Sequence, residues 1–191
     1  MPFPGGWPVV FLRLAGWRVT NPMPAVPKAV IIGGPHTSNW DGIYTLAAMM
    51  QLGLDAHVMI KDSAFKGPFG AMLRWMGALP IARHKAGGVV EQTVAQFNSR
   101  DKLVMVVAPE GTRGGATQWK TGFYRIAEQA GVPIVLATAD YRKKEITFAR
   151  VIEPCGDMEK DLAEIFECYA SIHPRHPDKL SAPLKALRER R

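Results

Sequence analysis

The sequence predicts an α/β layered sandwich, a single domain built on a mixed, mostly parallel sheet with helices on both faces. Three observations carry this. Apolar runs of strand length alternate with helix-length segments along most of the 191 residues. The clearest run, Lys102-Leu103-Val104-Met105-Val106-Val107-Ala108, is apolar nearly throughout, as in a strand covered on both faces. The length fits one domain with a proper core, without internal repeats or low-complexity segments.

Residues 1–27 form an apolar, proline-rich segment, with Pro2, Pro4, Pro8, Pro22, Pro24 and Pro27. Within it, Trp7 to Trp17 is apolar, bounded by tryptophans and accompanied by Arg13 and Arg18. That pattern reads equally as a membrane-surface helix and as a helix packed on its own domain. Trp17-Arg18-Val19-Thr20 has the length of a short edge strand.

Residues 28–173 hold the α/β domain. Ala29-Val30-Ile31-Ile32 reads as a buried strand, and Gly42 to Met50 as the helix after it. Asp55 to Lys61 is a second strand. Ala64 to Trp75 is broken by Gly67-Pro68, giving a turn and then a helix. Leu79 to Arg83 is a strand ending on a cation, His84 to Gly88 a loop, and Val89 to Phe97 a helix. After the Lys102–Ala108 strand, a glycine-bearing loop runs to Trp119-Lys120, and a helix follows to Ala130, with Gly131 in the C′ position. Val132 to Thr138 is the next strand. Glu145 to Ile152 alternates and is expected at the sheet edge. Pro154 to Asp157 cap a helix with Leu162, Ile165, Phe166, Tyr169 and Ile172 at helical spacing. Residues 174–191 are a basic tail, expected as a frayed helix or a surface contact.

The formal charge of +7 and isoelectric point near 9.6 suit an anionic partner: a phosphate-bearing substrate, an anionic lipid surface or nucleic acid. Cys155 and Cys168 have neither CxxC nor zinc spacing, which suits a reducing, cytosolic setting. No uncharged apolar run reaches the ~20 residues that span a bilayer, and the N-terminus lacks a signal-peptide pattern.

The stretch between first strand and first helix, Gly33-Gly34-Pro35-His36-Thr37-Ser38-Asn39-Trp40-Asp41, carries the chemistry. On a continuous helix, residues five apart point about 140° away from each other, so His36 and Asp41 would not meet. Pro35, Ser38 and Asn39 are turn formers, and a turn folds His36 back onto Asp41. A carboxylate on one ring nitrogen fixes the histidine tautomer and stabilises its cation, the arrangement of a general base. The plain alternative is a helix cap at Asp41 or Asn39 beside an ordinary loop histidine.

Further blocks follow in order. Lys61, Phe65, Pro68, Gly70, Gly77 and Arg83 form one, Pro109-Glu110-Gly111-Thr112-Arg113 another, and Val132-Pro133-Ile134-Val135 the last. Loops at the carboxyl ends of strands converge on one crevice in such sheets. With HTSNWD at the head, this order resembles the glycerolipid acyltransferase family of the lysophosphatidate acyltransferase type, over about Val30 to Ala137. The family's HX4D block falls on His36 and Asp41, and its EGTR block on Glu110 to Arg113. Where that block commonly continues with serine, Gly114 follows here.

The resemblance implies a glycerol-3-phosphate acyltransferase-like fold. It implies acyl transfer from an acyl thioester, acyl-CoA or acyl carrier protein, to the hydroxyl of a lysophospholipid, with no metal and no further cofactor. His36 and Asp41 would be catalytic. Arg113 is the best phosphate ligand, and Gly111 admits close backbone approach. Glu110 is expected to hold the acceptor's hydroxyl or fix Arg113. Lys61, Arg83 and Lys120 are further anion ligands, and Thr112 supports the loop. Backbone N–H groups near His36 or Gly111 are candidate oxyanion donors. Met49, Met50, Met59, Met72 and Met76 read as pliable core or as the wall of an acyl-chain groove.

Partners implied are the acyl donor, the lysophospholipid and an anionic membrane surface, with peripheral attachment on the cytoplasmic face and no nucleic acid. Rival readings are transfer to another lysolipid such as a lyso-amino-lipid, thioester hydrolysis, and non-enzymatic binding of anionic lipid. No G-x-S-x-G elbow supports a serine esterase, and no P-loop or helix-turn-helix supports a nucleotide or DNA binder.

Overall fold

The structure is a computed structural model and describes residues 6–75, 78–81 and 88–191. Its strands are β1 (Arg18–Thr20), β2 (Lys28–Gly34), β3 (Ala56–Lys61), β4 (Leu79–Ile81), β5 (Leu103–Val107), β6 (Ile134–Asp140) and β7 (Glu145–Ile152). Its α-helices are α1 (Trp7–Leu14), α2 (Asn39–Gln51), α3 (Gly67–Trp75), α4 (Gly88–Asn98), α5 (Gly122–Ala130), α6 (Met158–Ala170) and α7 (Ala182–Glu189). One sheet holds all seven strands in the order β1-β7-β6-β2-β5-β3-β4. The strands β2 to β6 run parallel, whereas β7 is antiparallel to β6 and parallel to β1.

Strand alternation sorts the side chains into two layers. Val30, Ile32, Met105 and Leu136 share a core with Phe97 of α4, Phe123 of α5, Tyr169 of α6 and Leu184 of α7. Ala29, Ile31, Val135 and Ala137 face the other way and pack with Met49 of α2. Leu12, Trp17, Ala47, Ala48, Ala139 and Ile146 extend that second layer toward α1. The mixed, mostly parallel sheet with helices on both faces is therefore the observed architecture. All seven residues of β6 are buried, as expected of a strand covered on both faces.

The structure revises several boundaries. The helix after β2 starts at Asn39, three residues before the expected Gly42, because Ser38 caps it. The strand expected over Val132 to Thr138 runs over Ile134–Asp140. The strand β7 is not the sheet edge, because Arg18, Val19 and Thr20 pair with Glu145, Ile146 and Thr147. The basic tail is no loose appendage: Leu180 and Leu184 are buried, and the Trp119 indole N–H donates to Ser181 Oγ at 2.8 Å in the interior. Arg188 Nε donates to the Ala170 carbonyl, fastening α7 to the end of α6.

The first helix packs on its own domain and leaves part of its apolar surface exposed. Pro8 and Leu12 are buried against the domain, while Trp7, Val10 and Leu14 are exposed. A run of rings leads inward from it: Trp7 contacts Phe11, Phe11 stacks on Tyr44, Tyr44 stacks on Trp17, and Trp17 meets Tyr141 edge-on at 4.9 Å.

Candidate active site

The site lies where β2 and β5 end and α2 begins. Ser38 is the N-cap of α2 and Asp41 its third residue, and the two form a capping box. Asp41 Oδ2 accepts the N–H groups of Thr37 at 2.7 Å and Ser38 at 2.8 Å. The same oxygen lies 3.5 Å from His36 Nδ1. Asp41 is thus both the helix cap and the partner of His36, because the loop from Thr37 wraps around its carboxylate. The other oxygen, Oδ1, accepts the Tyr141 hydroxyl at 2.7 Å. Burial alone would raise the Asp41 carboxyl, but hydrogen bonds from His36, Tyr141, Ser38 and Thr37 outweigh it and hold it below the usual carboxylate range.

The second wall is the turn after β5. Glu110 is 2% exposed, and its Oε1 accepts the His36 backbone N–H at 2.8 Å. Glu110 Oε2 is buried with no hydrogen-bond partner among the described residues. Burial pushes the Glu110 carboxyl up to about 7, against the pull of the His36 N–H. The expectation that Glu110 fixes Arg113 is replaced by this brace on His36. The two carboxyls beside the histidine loop are driven in opposite directions, one down and one up.

Gly111 adopts φ +66, and a Cβ there would stand 3.0 Å from Lys120 Cε and 3.1 Å from its Nζ. The lysine therefore lies across the glycine, with its ammonium beside the Glu110 turn. Thr112 Oγ1 accepts the Gly114 N–H at 3.2 Å, the loop-supporting role expected of it. Arg113 is exposed on the same loop. The strand β3 ends at Lys61, whose side chain lies outside the described residues, as does Arg83. The expected oxyanion donors are engaged internally: His36 N–H on Glu110, Thr37 and Ser38 N–H on Asp41, and Gly111 N–H on the Ala108 carbonyl.

A pocket of about 250 Å³ opens between α2 and the sheet beside His36 and Asp41. Small residues make the room: Gly33, Ala56, Ala108, Ala137 and Ala139 line it, as does Gly34, whose own Cβ would point to Tyr169 on the other face. Leu46, Met49, Val58 and Val106 complete an apolar wall. Of the methionines considered as groove residues, Met49 lines this pocket, whereas Met59 packs against the opposite core. Met76 and the Met72 side chain lie outside the described residues.

Sequence reading missed Tyr141 and the segment behind it. The Tyr141 N–H donates to the His173 carbonyl at 2.9 Å, and the His176 N–H donates to Thr37 Oγ1 at 3.3 Å. The Arg175 guanidinium lies 5.7 Å from the centre of the Trp40 ring and 5.9 Å from that of Tyr141. None of these has a local sequence signal, since each meets the loop from far along the chain. Among the described residues no group of three or more metal-ligating side chains comes together.

A histidine held by a carboxylate at the mouth of an apolar pocket, with a glycine-turned cationic loop opposite, is a site for activating a hydroxyl or water next to a hydrophobic chain. A family model described as acyltransferase matches residues 17–138, and the chain belongs to the acyltransferase family. It is 29% identical to a 1-acyl-sn-glycerol-3-phosphate acyltransferase of Haemophilus influenzae, over 78% of this chain. The match spans 61% of that relative's length. The fold is similar to the crystal structure of PlsC, the 1-acyl-sn-glycerophosphate (LPA) acyltransferase of Thermotoga maritima, at a TM-score of 0.59 and 15% identity. That likeness covers 85% of this chain and 73% of the other.

Proposed function

We propose that this protein is an O-acyltransferase that moves a fatty acyl group from an acyl thioester, acyl-CoA or acyl carrier protein, to the hydroxyl of a lysophospholipid. The acceptor best supported is 1-acylglycerol-3-phosphate, which the names of both relatives specify. The observation that carries the reading is His36, set between the Asp41 carboxylate and the apolar pocket it lines.

With Nδ1 toward Asp41, Nε2 is the nitrogen left for substrate. It takes the proton of the acceptor hydroxyl as the oxygen attacks the thioester carbonyl. The carbon–sulfur bond then breaks, and His36 returns the proton to the departing thiolate. Asp41 stays ionised throughout and stabilises the imidazolium formed in between. The acyl chain occupies the pocket under α2. Arg113 and Lys120 receive the acceptor phosphate, with Lys61 and Arg83 as further anion ligands on the family pattern. No protein nucleophile is required.

The reaction takes place at an anionic membrane surface, with the protein attached peripherally from the cytoplasmic side. No described helix is long and apolar enough to cross a membrane. Trp7, Val10 and Leu14 of α1, and Trp40, Ile43 and Leu46 of α2, are exposed apolar side chains on two packed helices. Leu46 also lines the pocket, so the lipid-facing row and the acyl site share a residue. A net charge of +7 adds attraction to anionic lipid.

The test is thiol release from an acyl-CoA, with and without lysophosphatidate, for the wild type and His36→Ala. Release that depends on both the acceptor and His36, with a loss of at least ~100-fold in the variant, supports the reading. Release without acceptor would make the protein a thioesterase, and an unaffected His36→Ala protein would overturn the mechanism.

A further inference from the structure

We propose that Tyr141 is a positioning residue of the reaction, holding the Asp41 carboxylate in the plane that serves His36. The inference rests on the proposed role of the His36–Asp41 pair. Tyr141 lies beyond residues 17–138, the region matched by the family model.

The argument starts from Asp41 itself. A carboxylate on a short side chain rotates about its last bond unless both oxygens are held. Oδ2 is held by its own loop, through the Thr37 and Ser38 N–H groups. Those bonds fix one oxygen but leave the other free to swing. Oδ1 is fixed from outside, by a hydroxyl 100 residues away at 2.7 Å. The carboxylate is clamped at both ends, and Oδ2 faces His36 Nδ1 as a consequence.

The clamp itself is anchored. The Tyr141 ring sits edge-on against Trp17, and its backbone N–H is tied to the His173 carbonyl. Arg175 lies over the rings of Tyr141 and Trp40, and His176 donates to Thr37. Residues 173–176 therefore bind both the tyrosine and the loop it serves. The phenol is a fixed donor, since burial and then the neighbouring Asp41 charge push its ionisation far above the ordinary tyrosine value. The Tyr141 hydroxyl donates to Asp41, so it acts through the carboxylate.

Tyr141→Phe tests this, because it keeps every ring contact and removes only the hydroxyl. Acyl transfer is measured from acyl-CoA to lysophosphatidate for the wild type, Tyr141→Phe, Asp41→Asn and the double variant. We expect kcat to fall roughly tenfold, the scale of one lost charge-assisted hydrogen bond. The KM values for both substrates should stay at wild-type level, and the melting temperature should fall by about a few degrees at most, since one buried hydrogen bond is lost. On the Asp41→Asn background the same substitution should add little further loss. Wild-type kcat in Tyr141→Phe, or a fully additive loss in the double variant, would overturn the proposal.

A second readout does not depend on turnover. The ring 15N signals of His36, assigned with His36→Ala, should move in Tyr141→Phe. Unmoved signals would overturn the proposal even if the protein were to transfer acyl groups by another route. Conversely, a His36→Ala protein that stays active, together with ring signals that move in Tyr141→Phe, would overturn the catalytic reading and leave the clamp standing as a structural contact.

Discussion

Glu110 and His36 are joined through the backbone of the histidine, not through its ring: Glu110 Oε1 accepts the His36 N–H at 2.8 Å. The bond ties the turn after β5 to the turn after β2, two parallel neighbours in the sheet. It leaves the imidazole free for Asp41 and substrate.

This bond yields a prediction about pH. The Glu110 carboxyl is raised to about 7 by burial, above its ordinary 4.5, so the folded state holds a proton that the unfolded chain has released. Stability should therefore be greatest below pH 4.5 as far as this group is concerned, and its contribution should decline as pH rises toward 7. The decline is on the order of 3 kcal/mol. Glu110→Gln removes the titration and keeps an acceptor for His36. Its melting temperature should exceed that of the wild type at about pH 8, with a flatter slope between about pH 5 and about pH 7. Parallel melting curves for the two proteins would contradict the assignment.

Arg113 is exposed on the loop after β5, so its loss should be felt in binding rather than in folding. Arg113→Ala should raise the KM for lysophosphatidate by about tenfold or more, the scale of a charge-assisted contact. Its melting temperature should not change. An unchanged KM would move phosphate recognition to Lys120 or another cation.

The C-terminal segment makes the opposite prediction. Leu184 is fully buried in the same core as Phe123 and Tyr169. Leu184→Ala should cost about 2–5 kcal/mol, read as a fall in denaturant midpoint. A dispensable tail would show no change.

The exposed row on α1 is tested on vesicles. Trp7→Glu combined with Leu14→Glu should release the protein from anionic vesicles in a flotation assay, since each side chain is about half or more exposed and its replacement disturbs little packing. Undiminished flotation would place the contact elsewhere.

The legible parts of this molecule were the local ones. The order of strands and helices followed from apolar runs and their breakers, and the family blocks singled out His36, Asp41 and the Glu110 turn. Spacing also foretold that a turn must fold His36 onto Asp41. It set that pairing and a helix cap at Asp41 against each other as alternatives, whereas Ser38 starts the helix early and the same carboxylate serves both roles. Long-range partners were beyond reach. Nothing near Tyr141 in the chain marks it as a donor to Asp41, and nothing in a stretch bearing Arg175, Lys179, Lys185 and Arg188 announces that Leu180 and Leu184 complete the core. The edge assignment of β7 failed for the same reason: its cover, β1, comes from the other end of the sequence.

The ring sequence from Trp7 through Phe11, Tyr44 and Trp17 to Tyr141 ends on the hydroxyl that holds Asp41. Removing the first helix would take away Trp7 and Phe11, the outer rings of the stack behind the acid. On the proposed role of Tyr141, activities compared between preparations with and without this helix would report on the stack as well as on the substrate.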